Sequence, residues 1–210
     1  MRSWCLKVLL GALCSLGVSA PGQAADAPVF LQMVAVAPDP RAEPPFNEHW
    51  TIFLDGIIDA DATGRLQRFI DRRDVGNAVI YFNSPGGSLI AAMAIGRLLR
   101  QQGFETHVGA RAADTGRVTQ GVCYSACPFA FAGGARRRLD EGSVLGVHRA
   151  ENRTPVPDET LFERRVRFES MGYLAEMGVN ADLLDIMEAV PYDAIRPLSR
   201  EEAVQFNLVN

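Results

Sequence analysis

The stretch GVCYSAC, residues 121–127, sets Ser125 between Cys123 and Cys127, two residues away on either side. A serine acts as an acyl-transfer nucleophile when a base lies within hydrogen-bond reach and amide donors face the developing oxyanion. A thiol is intrinsically the stronger nucleophile. Plainer readings exist. Ser125 leads from a polar loop into an apolar helical run, where a serine usually serves as a helix cap. Residues four apart on a helical turn lie roughly 6 Å apart, inside disulfide range. A 123–127 disulfide, two buried free thiols and a catalytic thiol therefore all stay open. Metal ligation by the pair would need further Cys or His at suitable spacing, and none stands out.

A base is easily short-listed, because the chain has three histidines. His49 precedes the first strand, His107 lies inside one, and His148 stands near the end of the strand VLGVHR. Reactive groups in α/β proteins gather at the carboxyl ends of strands, which favours His148. Lys7 is the only lysine and falls in an N-terminal leader, so no serine–lysine dyad can form in the rest of the chain. Among the acids beyond His148, Asp193 stands in the non-helical stretch VPYDAIRP and can reach into a site; a turn or cap role suits it equally. NSPGGS, residues 83–88, joins an apolar strand to a helix start. Its paired glycines allow a sharp turn, and amides just before a helix start are unpaired and can face negative charge. With no lysine after it, this is not a phosphate loop, and a tight βα turn is its plain reading.

These residues must be held by a frame, and the patterning supplies one. WTIFLDGII reads as a strand, ADATGRLQRFIDRR as a helix with Leu66, Phe69 and Ile70 on one face, and NAVIYF as a short buried strand. SLIAAMAIGRLLRQQG is a helix ended by Gly103, and FETHVG a further strand. Strand–helix–strand order implies right-handed crossovers and a mainly parallel sheet. Residues 110–120 read as a polar loop, SACPFAFAG as a short buried helix with Pro128 near its start, and RRRLD and VLGVHR as strands. Arg136, Arg137 and Arg138 read as a strand edge or solvated face. LFERRVRFESMGYLAEMG and ADLLDIMEAV are helices, and Ser199 with Glu202 forms a capping box that opens the last one.

The first 25 residues stand apart: a basic start (Arg2, Lys7), the apolar run VLLGALCSLGVSA, then Pro21, Gly22 and small residues. This reads as a secretory signal peptide, too short to span a bilayer comfortably, and places the mature chain in the periplasm. Residues 26–47 read as a flexible linker with one short strand, VFLQMVAV, and 48–210 as a single domain. Two of the 21 Lys and Arg leave with the leader against 25 acidic residues, so the mature net charge is near −6. Nucleic-acid binding, which needs concentrated positive charge, is excluded. Cys5 and Cys14 also leave, so only the pair flanking Ser125 remains, in a compartment that permits disulfides.

YFNSPGGSL (81–89), GVCYSACPFAFAGGARR (121–137), VLGVHR (144–149) and LSREEAVQFNLVN (198–210) together resemble the caseinolytic (Clp) protease proteolytic-subunit family, within the crotonase-like group, and in particular its exported relatives. The resemblance covers residues 49–210 and implies a ClpP/crotonase-like spiral of βαβ units with a mainly parallel sheet. It puts the nucleophile on Ser125, the base on His148 and the oxyanion amides on Gly87 and Ala126. The exported relatives carry cysteines spaced like Cys123 and Cys127. The family's acid falls on Ile195, with Asp193 two positions earlier; either Asp193 orients His148 or the site is a dyad. The implied function is an exported serine hydrolase, peptidase-like, acting on a peptide or small ester or amide without a cofactor. The rival is a non-catalytic peptide-binding or assembly module of the same fold. A crotonase-like enzyme on acyl thioesters is a weaker third option. A homo-oligomer is compatible with the helix at 161–177, and no ATP-dependent unfoldase partner is expected outside the cytoplasm. A disulfide between Cys123 and Cys127 would brace the Ser125 turn and hold the Ala126 amide in place.

Overall fold

The computed structural model describes residues 30–151 and 158–210. The expected signal peptide and the start of the expected linker lie outside them. Strands β1 (Gln32–Val36), β2 (Trp50–Asp55), β3 (Ala78–Asn83), β4 (Glu105–Val108) and β8 (Arg137–Leu139) form one sheet in that order. β2, β3, β4 and β8 run parallel, and β1 is antiparallel on the outer edge. Helices α1 (Ala62–Asp71) and α2 (Leu89–Gln102) make the two crossovers between β2, β3 and β4. A second sheet has the order β10-β9-β7, from Arg196–Pro197, Val144–Val147 and Val122–Tyr124. Here β7 and β9 are parallel, and β10 is antiparallel to β9.

Side-chain alternation explains the continuous apolar strands. Ile52, Leu54, Ile80 and Phe82 face the helices and the main core. Phe53, Val79 and Tyr81 face the other way, into a smaller cluster covered by Phe46, Val36 and Val118. A sheet buried on both faces needs no polar alternation. Four further helices follow the pattern read from sequence. α3 (Cys127–Ala132) is fully buried with its proline in the first turn. α4 (Glu159–Glu176) and α5 (Leu183–Ala189) pack together. α6 (Arg200–Gln205) begins with the expected Ser199–Glu202 capping box.

The fold class needs correction. Instead of a spiral of βαβ units, the chain forms a small α/β fold with mixed parallel and antiparallel sheets. Residues 110–119 are not a loop but a hairpin, β5 (Ala110–Arg111) against β6 (Val118–Thr119). β1, β10 and this hairpin supply antiparallel pairing that a βαβ repeat lacks. None was visible as a repeat because each is short and paired locally or at an edge. The arginine cluster also differs in part from its reading. Arg136 and Arg138 sit outside and pair with Glu105, but Arg137 is only 2% exposed. Its guanidinium donates to the carbonyls of Ala132, Gly134, Met177, Asn207 and Leu208. Arg100 donates beside it to Ala132, Gly133, Gly134 and Met177. Burial, then the neighbouring Arg100 charge, push the Arg137 pKa down to about 10, so it stays charged at neutral pH. The two cations collect the carbonyl ends of α3 and α4, where the helix dipoles are negative, and tie the last residues to the core.

Candidate active site

The two sheets meet at the end of β3. Ser84 bridges Cys123: its amide donates to Val122 O at 2.7 Å and its carbonyl accepts from Tyr124 N at 2.9 Å. Asn83 Oδ1 accepts from Val122 N–H, and its Nδ2 donates to Asp55. β3 thus delivers the glycine turn directly against the end of β7, where Ser125 stands. Ser84 is fully buried, and its Oγ accepts from Gly86 N–H, shaping the turn from within.

Ser125 has φ +61°, a left-handed conformation uncommon for a side-chain-bearing residue. Its amide donates to Gly146 O at 3.0 Å. The cap reading of this serine does not hold: Ala126 is the N-cap of α3, and no side chain caps it. Gly86, at φ +102°, lies against the serine turn so closely that a Cβ there would sit 2.6 Å from Ser125 Cβ and 2.6 Å from Tyr124 O. Gly87, at φ +138°, is pressed against Ile58, which donates its amide to Gly86 O and accepts from Ser88 N. That bridge leaves the Gly87 amide turned away from Ile58 and without a partner among the described residues. The Ala126 amide, at the start of α3, is likewise unpaired.

Cys123 and Cys127 form a disulfide across Ser125, with Cα atoms 5.1 Å apart. Both are fully buried. The disulfide was one of three open outcomes for the pair, and its formation removes the thiol nucleophile.

The structure separates the three histidines. His107 is engaged on the far face of the main sheet, its ring tilted against Tyr81 and bonded to Asp140 through Nδ1 and to Glu105 through Nε2. Burial alone would push its pKa down, but the hydrogen bonds to Asp140 and Glu105 outweigh this and hold it above the ordinary value. His49 faces Asn77. His148 follows β9 directly, two residues beyond the Gly146 carbonyl that holds the Ser125 amide. Its Nδ1 is buried with no hydrogen-bond partner, and the residue as a whole is half-buried. No hydrogen bond joins Ser125 Oγ to His148 among the described residues.

Asp193 is not brought to His148. It lies exposed in the turn where Ala194 N donates to Pro191 O, and its carboxylate makes no hydrogen bond among the described residues. Two contributors to this site were missed in the sequence. Ser84 carried a signal, since a serine two residues before a turn glycine commonly bonds its own backbone. Ile58 carried none, because it acts through its main chain. Two concavities, lined by residues such as Arg138, Arg200 and Val204 and by Pro45, Glu48 and His49, include neither Ser125 nor His148. Among the described residues no group of His, Cys, Asp or Glu is arranged to hold a metal, and no helix is long and apolar enough to cross a membrane.

No family model matches the chain, and no curated protein matches it. Among solved structures it is similar to a mutant of the 1510-N membrane-bound stomatin-specific protease, with a TM-score of 0.51 and 15% identity over 75% of each chain. At that identity the likeness is one of fold. It overturns the resemblance to the Clp proteolytic-subunit family and the crotonase group read from four short motifs. A glycine turn, a serine before a helix and a histidine after a strand are local devices, and different frames can carry them.

Proposed function

We propose that the protein is a serine hydrolase, peptidase-like in chemistry and exported to the periplasm. Ser125 Oγ attacks the substrate carbonyl carbon while His148 takes its proton. The proton passes to the departing amine or alcohol as the carbonyl re-forms, and water then hydrolyses the acyl-enzyme by the same route. The Gly87 and Ala126 amides receive the oxyanion. The substrate is a peptide or a small ester or amide. The observation that carries this reading is the left-handed Ser125 turn, wedged against Gly86, with the Gly87 and Ala126 amides making no hydrogen bond among the described residues. That conformation for a non-glycine residue costs free energy and persists where its surroundings enforce it, commonly at functional sites. The general likeness in fold to a serine protease agrees with it.

Labelling with a fluorophosphonate probe tests the reading. Wild-type protein should be labelled and Ser125→Ala should not. Folded wild type that neither labels at Ser125 nor hydrolyses esters or peptides would refute it. One observation favours a second reading, a non-catalytic peptide-binding module: the His148 Nδ1 has no orienting partner. Peptide binding that survives Ser125→Ala, with no labelling of wild type, would select that reading.

A further inference from the structure

We infer that position 195 is the orienting seat for His148, filled here by isoleucine, so that Ser125 and His148 work as a pair without a carboxylate. This rests on the serine-hydrolase reading and deepens it. β10 pairs with β9 antiparallel, with Arg196 opposite Val147 and Pro197 opposite Gly146. Extending that register by one residue sets Ile195 opposite His148. Directly opposed residues in an antiparallel pair project to the same face, as do residues two apart on one strand. Ile195, His148 and Gly146 therefore share a face. The side chain agrees: Ile195 Cγ2 lies 2.6 Å from where a Gly146 Cβ would stand, and the Tyr124 ring lies 2.7 Å from that same point. The missing side chain at Gly146 makes a floor on which Ile195 and Tyr124 rest, next to the imidazole.

An orienting acid accepts from the imidazole Nδ1–H and fixes the tautomer that leaves Nε2 free to act as base. In this chain Nδ1 is buried and unpartnered, as an apolar neighbour at position 195 would leave it. Asp193 is two residues further along a strand that is leaving β9. The next backbone bond of that segment runs from Arg149 N to Val190 O, so the intervening residues arch outward. Arg196, the charged side chain of β10, is paired with Glu202. Ile195 is 40% exposed, so a polar residue at that position is not forced into the core.

The test compares wild type, Ile195→Asp, Ile195→Asn, Ile195→Leu and Asp193→Asn, all as the full chain with the disulfide intact. The rate of fluorophosphonate labelling at Ser125 is measured alongside the imidazole ¹⁵N shifts of His148. A positioned proton-transfer group is worth on the order of 10²–10⁴ in rate, and a grafted, imperfectly aligned acid should recover part of that. The expectation is faster labelling of Ile195→Asp by about tenfold or more, with His148 moving to the Nδ1–H tautomer. Ile195→Asn should show the tautomer shift with a smaller rate gain, and Ile195→Leu neither. A tenfold loss on Asp193→Asn in the wild-type background would give the role to Asp193 and overturn the inference. So would folded Ile195→Asp and Ile195→Asn proteins in which the His148 shifts do not move. If the tautomer shifts but no variant labels at Ser125, the seat at 195 stands and the nucleophile assignment of Ser125 fails.

Discussion

Replacing Cys123 and Cys127 together by alanine should loosen the serine turn more than it loosens the fold. The disulfide spans four residues of sequence, so the loop it closes is short. The chain-entropy relation for a loop of about five residues gives about 2 kcal/mol of stabilisation. Inside that loop Ser125 holds φ +61°, a conformation that costs a non-glycine residue about 1–3 kcal/mol. The two magnitudes are comparable, so the cross-link is sufficient to hold the turn against relaxation. Without it, a relaxation worth about 1–2 kcal/mol would leave the native turn in roughly one molecule in five to one in thirty. The double variant should therefore lose about 2 kcal/mol in urea unfolding and label with fluorophosphonate about five- to thirtyfold more slowly. An unchanged labelling rate in a folded double variant would refute the brace: Gly86, Ile58 and the Gly146 carbonyl would then be enough.

Gly86→Ala places a Cβ 2.6 Å from Ser125 Cβ and 2.6 Å from the Tyr124 carbonyl, at φ +102°. It should cost about 2–4 kcal/mol and abolish labelling. Gly76→Ala, which meets nothing within 4 Å, is the matched control, and equal effects of the two would defeat the close-contact account. His107 should make stability pH-dependent. Its folded pKa is raised by Asp140 and Glu105 against the pull of burial. Its contribution is therefore complete below the unfolded value and lost as pH rises through the folded one. Glu105 works in the opposite direction. Burial would raise its pKa, but the His107 hydrogen bond and the nearby positive charges hold it low, so its contribution fades as pH falls. Thermal unfolding between about pH 5 and 9 should decline more steeply at the alkaline end in wild type than in His107→Gln; parallel curves would show that the network carries no such linkage.

Local elements were legible where one periodicity dominated. The continuous apolar runs of β2 and β3, the apolar face of α1, the glycine stop of α2 and the Ser199–Glu202 box each follow from a few neighbouring residues. What failed was the frame. β7 and β10 are three and two residues long, too short to leave a pattern, and the hairpin at 110–119 hides in a polar stretch. Arg137 showed the same limit: three consecutive arginines look alike in sequence, and only the packing against α3 and α4 distinguishes the buried one from its exposed neighbours. α4 ran the other way. Leu161 and Phe168, the latter 78% exposed, look like core residues by type and lie on the surface.

The sequence by itself determined the inventory of the candidate site: one serine between two cysteines, three histidines, a paired-glycine turn and no lysine beyond Lys7. It thereby limited the base to an imidazole and the thiols to a local choice. The tertiary structure decided the rest, because those decisions depend on residues distant in sequence. The Ser84–Cys123 bridge sets the glycine turn against the serine. Asp140 and Glu105 occupy His107, leaving His148 beside the serine segment. The β10 register sets Arg196 opposite Val147 and brings Ile195 up against Gly146, while Asp193 stays in an exposed turn. Side-chain type says which groups can accept a proton; only the pairing of strands says which of them meet.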